Sequence, residues 1–299
     1  MESQEVVHQS KSLKQLMRDY PLISYFLLAY GFSWLISLPY LLSLWGVIKG
    51  NFITLFALKQ WVGPALAATI MVRVTEGKEG LVNLRQRVKQ WRAGWQWYLF
   101  ALVAIPVLVL IGVIFQPGAL DRFEGFPPLI FVTYFFTFIA VFIGVGLPEE
   151  VGWRGFALPR MQKRFGPFKG TLILGVLWAF WHLLFFLAPD HGGGPGSPLA
   201  PVLINFAIFS LMVVVLTFIF TWVFNHTGGS ILIASLLHAS IDTPQLSLLP
   251  FFIDVGQANS IAGEKSLDLA GLIVFGVLAL LVVIITRGRL GYTTNANGN

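Results

Sequence analysis

The sequence predicts an all-α membrane bundle of about eight transmembrane helices. Composition is the first sign. Of 299 residues, 56% are hydrophobic and 11% charged, against about 25% charged in an ordinary soluble domain. The second sign is a recurrence of long apolar stretches. At about 20 residues per span, the chain holds eight with short connections. The third is a lopsided distribution of Lys and Arg between alternate loops. Disorder and a water-soluble enzyme do not fit a mean hydropathy of +0.75. The lack of cysteine excludes disulfide scaffolds, thiolate metal sites and cysteine nucleophiles.

The spans follow in order. The first is expected near 22–45, too long and too far along the chain for a cleaved signal peptide. A second covers 54–72. In the loop after it, Leu81, Leu84, Val88 and Trp91 recur at helical spacing between Arg85, Arg87, Lys89 and Arg92, which suits a short amphipathic helix anchored on the membrane surface. Spans three, four and five are expected near 95–115, 127–147 and 170–188. The glycine-rich stretch that starts at His191 lacks the Lys-Ser/Thr of a phosphate loop and reads as a flexible connection. Spans six, seven and eight follow near 201–224, 229–249 and 268–286. The seventh is the least apolar because it holds His238 and Asp242. Three regions result: N-terminal helices over 1–124, a core over 125–250, and a last helix with its tail over 251–299.

With the N-terminus inside and eight spans, sixteen of the 20 Lys and Arg fall on the inner side. The outer side, counted to the span ends, holds only Lys49, Lys59, Arg122 and Lys265. Such an excess marks the cytoplasmic face, with both termini cytoplasmic and a prokaryotic cell membrane as the expected location. Basic loops facing anionic lipid account for the net charge of +6, so no nucleic-acid partner is needed.

Ionisable groups at bilayer depth cost about 2.5–3.5 kcal/mol on insertion scales, so they point to function. Outside the loops these are Glu149, Glu150, Arg154, His182, His238 and Asp242. Glu150 and Arg154, four apart, share a helical face and can pair. Glu149, turned about 100° away, is left without an obvious local partner. His238 and Asp242 are also four apart. Singly, each reads as a polar group satisfied by a neighbouring helix; six on three segments read as one site. Carboxylates and imidazoles can activate water and steady an oxyanion, which is the equipment for amide hydrolysis inside a membrane. Glu149, His182 and His238 also form a donor set of the zinc type, although His-Glu-x-x-His is absent.

Glu149-Glu150-Val-Gly-Trp-Arg154 matches EExxxR. Trp178-Ala-Phe-Trp-His182 stands where FxxxH is usual, with Trp for Phe. His238-Ala-Ser-Ile-Asp242 matches HxxxN/D. With the lead-in WVFNHTGGSILIASLLHA, residues 125–250 resemble the CPBP intramembrane proteases, the Abi or CAAX-protease family that includes the type II CAAX prenyl endopeptidases. The resemblance implies that Glu149 activates water with help from His182. It implies too that His238 and Asp242 bind the oxyanion or orient the scissile carbonyl. Asn is common at the last position, and an ionised Asp cannot donate; Asp242 would be protonated, orient His238, or ligate a metal. The implied substrate is a peptide or a lipidated membrane protein cut near its C-terminus, with zinc or a metal-free glutamate mechanism both open. The oligomeric state is not readable. A proton-coupled transporter and a non-catalytic immunity protein are the alternatives. A transporter would show paired repeats with broken helices, which the sequence lacks.

Two further expectations follow. Trp178 is expected to fill a packing position. The site is expected to open to the cytoplasm, with Glu149 near the inner surface unless its helix continues beyond 147.

Overall fold

The computed structural model describes residues 11–189, 193–253 and 261–293; His191 and Gly192 of the glycine-rich connection lie outside them. The described residues form helices and connecting turns, with no strand. After a short α1 (Leu13–Asp19) come α2 (Pro21–Leu44), α3 (Trp61–Thr75), α4 (Gly77–Val88) and α5 (Trp95–Ile114). Then follow α6 (Ile130–Phe165), α7 (Pro167–Leu187), α8 (Leu199–His226), α9 (Ile231–Ser247) and α10 (Ile261–Ile285). Five of these (α2, α5, α6, α7 and α8) are long and apolar enough to cross a membrane. Each expected span coincides with one of the helices, within a few residues for most.

Span four is the exception. Expected to stop at 147, it continues to Phe165 as one helix of 36 residues. Hydropathy falls at Pro148 and the glutamate pair, but the helix does not break there. Pro148 sits in the first turn after a π-helical turn, Phe142–Gly146. There its missing N–H is tolerated because the hydrogen-bond register is already shifted. A second π turn, Trp153–Ala157, follows. Sixteen residues therefore lie beyond Glu149, about 24 Å of helix at 1.5 Å per residue. This places the pair, both buried, within the bundle and not at a helix end.

Two glycines let neighbouring helices approach this segment. A Cβ on Gly146 would stand 2.9 Å from the Ser235 carbonyl and 3.2 Å from the His238 Cβ. One on Gly152 would meet the Tyr25 hydroxyl and the Pro64 carbonyl at 2.4 and 2.8 Å. Bare backbone at these two points brings α9 and α3 against the glutamates. Around them runs one continuous core from Leu22 to Leu290, whose largest members include Trp153, Phe156, Phe220 and Phe275.

The basic loops gather at one end of the bundle and are tied together. Arg18 Nε donates to the Val74 carbonyl at 2.9 Å, Arg160 pairs with Glu76, and Asn225 Nδ2 donates to the Leu290 carbonyl at 2.8 Å. The expected amphipathic helix is α4, and it is more than an anchor. Arg87 turns inward and donates to the carbonyls of Gly155, Arg154 and Gly229 at 3.0–3.2 Å, clamping α6 to the turn before α9. Burial, with the Arg160 guanidinium nearby, lowers its pKa to about 10, which leaves it charged at neutral pH. Trp91 falls beyond the end of α4 and is exposed.

Candidate active site

Glu149, Glu150 and Arg154 come from the middle of α6, His182 from the last turn of α7, and His238 with Asp242 from α9. The structure brings all six together. Arg154 Nη1 donates to Glu150 Oε1 at 2.9 Å, with both side chains 0% exposed. The same oxygen accepts from His238 Nδ1 at 2.8 Å. Because a carboxylate only accepts, that ring nitrogen carries a proton, and Nε2 is the one left for the cavity. Asp242 Oδ2 lies 3.6 Å from His238 Nε2, too long for a hydrogen bond but close enough for an ion pair. At 33% side-chain exposure, Asp242 is more open than the two glutamates, Arg154 and His238.

Arg154 makes no second polar contact through Nε or Nη2. Its guanidinium lies between two rings, 4.3 Å from the centroid of Trp178 and 4.1 Å from that of Phe220. Desolvated cation–π contacts of this kind are worth about 2 kcal/mol. They hold the cation where further acceptors are lacking.

Glu149 is partnered, contrary to the expectation from spacing. Its Oε2 accepts from Trp153 Nε1 at 3.1 Å and from Trp178 Nε1 at 2.9 Å. Trp153 is four residues on, so half of this was readable from the sequence. Trp178 is therefore not only a packing residue. Its indole N–H does what the usual phenylalanine cannot. The carboxylate is pinned through one oxygen while the residue lines a cavity, with Oε1 left for other partners. Trp178→Phe removes one of the two bonds. It should lower turnover about ten- to hundredfold with the fold intact, since a hydrogen bond to a charged group contributes about 1.5–3 kcal/mol. Cleavage rate and thermal melt measured together check this, and unchanged turnover would mean that Trp153 alone positions the carboxylate.

His182 Nδ1 donates to the Trp178 carbonyl at 2.9 Å, which leaves Nε2 for the cavity that His182 also lines. Its ring packs edge-on against Trp181 and Phe209. The cavity has a volume of about 340 Å³ and takes in Glu149, Trp178, His182, His238 and Asp242. Along α6 its lining stops at Glu149 and Val145, and along α9 it runs from His238 to Gln245. It thus extends toward the bundle end opposite the basic loops, while Arg87 and its acceptors close the basic end.

Sequence reasoning also missed Lys59 and Gln60, which line the same cavity. Lys59 was counted among outer-side charges, yet it is 8% exposed. The proposed zinc donors do not fit a metal. Among the described residues no group of three His, Asp or Glu side chains is placed to hold one ion.

Residues 130–243, which hold all six side chains, match the family model for Rce1-like type II CAAX prenyl endopeptidases. A curated relative, CAAX prenyl protease 2 of Methanococcus maripaludis, is 24% identical over 198 residues, covering 64% of this chain and 71% of its own length. The EExxxR, aromatic-xxxH and HxxxD segments read from the sequence all fall inside the matched stretch. The chain is thus a helical membrane protein whose residues 130–243 are similar to the Rce1-like type II CAAX prenyl endopeptidases.

Proposed function

We propose that this protein is an intramembrane CAAX-type endopeptidase that cuts a prenylated or membrane-bound protein near its C-terminus with water activated by Glu149. The observation that carries the reading is the division of labour between adjacent glutamates. Glu150 is consumed by Arg154 and His238, whereas Glu149 is pinned by two indoles at the wall of a cavity. Water held between Glu149 and His182 Nε2 attacks the scissile carbonyl, and Glu149 takes the proton. The attack closes a C–O bond and turns the carbonyl oxygen into an oxyanion. His238, doubly protonated between Glu150 on one side and Asp242 on the other, offers its Nε2–H to that oxygen. Collapse of the intermediate breaks the C–N bond as Glu149 returns its proton to the leaving amine. Donors aimed at developing charge supply about 2.7–4 kcal/mol each in water-poor sites.

The test uses the purified full chain in lipid nanodiscs with a fluorescent farnesylated CAAX peptide. Cleavage on the C-terminal side of the modified cysteine is expected. It should survive exhaustive chelation, in keeping with the donor set. Activity lost on chelation and restored by zinc would overturn the metal-free mechanism. No cleavage of prenylated or unprenylated peptide would overturn the protease reading.

A further inference from the structure

Among the described residues, Lys59 is the one ionisable side chain of the cavity that the proposed chemistry leaves unused. A lysine near the end of a membrane helix ordinarily extends its stem until the ammonium reaches water. Here the side chain is buried. Its Nζ lies over the Phe56 ring at 4.0 Å and within 5.1 and 5.7 Å of the Trp181 and Phe185 centroids. Among the described residues no carboxylate comes within 4 Å of it, and its three N–H donors find no acceptor. A neighbouring group is also unsatisfied. Gln60 lines the same cavity, and its Oε1 is buried without a donor. A cation with no anion in contact, beside an acceptor without a donor, describes a site for the end of a peptide chain.

We infer that Lys59 receives the C-terminal carboxylate of the substrate, with Gln60 accepting from a backbone N–H just before it. The inference rests on the endopeptidase reading and adds how the enzyme measures distance from the chain end. Trp181 supplies the ruler. Its ring touches the Lys59 ammonium on one side and lies 4.8 Å from the His182 ring on the other. The cation is therefore within about 10 Å of the imidazole that helps hold the attacking water. An extended residue spans about 3.3–3.6 Å, so a released fragment of about three residues bridges this distance. The apolar walls suit short hydrophobic side chains. They also leave the pair undiluted by water, which strengthens ammonium–carboxylate recognition.

Binding can be read without turnover. A short fluorescent farnesylated peptide ending in a free carboxylate, and its twin ending in a carboxamide, are titrated into the full chain carrying Glu149→Gln. The free acid should bind at least about tenfold tighter. That preference should vanish in Glu149→Gln/Lys59→Met and persist in part in Glu149→Gln/Lys59→Arg. Equal binding of acid and amide, a preference that survives Lys59→Met, or no binding of either peptide would overturn the inference. So would an amide-ended twin with aspartate as its last residue binding as tightly as the free acid. Should Lys59→Met fail to fold, acid against amide on the Lys59-containing chain still decides. The two readings also fail separately. Acid-selective binding without cleavage by the wild type would sink the protease alone, and cleavage without acid preference would sink the role of Lys59 alone.

Discussion

Glu149→Gln should reduce the turnover of a prenylated peptide by a thousandfold or more while moving the thermal midpoint by only a degree or two. Glutamine keeps the oxygen that accepts from Trp153 and Trp178 Nε1, so the side chain stays where it is. It loses the ability to take a proton. General-base catalysis contributes about 10²–10⁴-fold. The upper part of that range applies because no other free carboxylate points at the place where water would be held. Asp242 lines the cavity too, but it faces His238 Nε2 and cannot substitute without leaving that imidazole. Single-turnover rates for wild type and variant, read beside their melting curves, check the claim. A variant with near wild-type turnover would remove Glu149 from the role of base, and a variant that fails to fold would show the residue to be structural.

Much of the site was readable from spacing alone, and what was missed has a common cause. Glu150 with Arg154, and His238 with Asp242, are i,i+4 pairs, and local helix geometry fixes such neighbours. The bond from His238 to Glu150 spans 88 residues, and nothing in either segment announces it. Two π turns around Leu147–Gly152 set the direction of each glutamate, and they leave no pattern in composition. The fourth span was cut short for a related reason. Hydropathy measures what lipid tolerates, and the polar residues that end an apolar run are here the ones the bundle encloses. The burial of Lys59 was missed for the same reason. A positive charge at the end of an apolar run is ordinarily a loop charge, and only the rings of Phe56, Trp181 and Phe185 show that this one faces inward. Trp178 shows the limit of motif matching. Where Phe is usual, a tryptophan passes as a size-conserving change, yet its N–H supplies a bond to the candidate base.

The opposite behaviour is expected of Glu150→Gln, a loss of stability of roughly 3–5 kcal/mol. Glu150 Oε1 takes both the Arg154 guanidinium and the His238 imidazole, at 2.9 and 2.8 Å, where neither glutamate nor arginine is exposed. Removing the charge strands Arg154 between two aromatic rings with no anion in contact, and a buried cation without its partner costs far more than the pair gained by forming. At roughly 2–4 °C per kcal/mol for a chain of this size class, the melting midpoint should fall by about 10 °C. Activity should fall too, but as a consequence of a loosened His238. Replacing both members discriminates between the two accounts. Glu150→Leu/Arg154→Leu removes the stranded charge along with its counter-ion and should recover most of the stability, because well-packed apolar residues often match a buried ion pair. It should not recover turnover, since His238 Nδ1 would still lack the acceptor that aims Nε2 into the cavity. Melting curves and peptide cleavage for the single and double variants measure both effects. If the double variant regains activity along with stability, Glu150 serves the fold alone, and the orientation of His238 must come from Asp242.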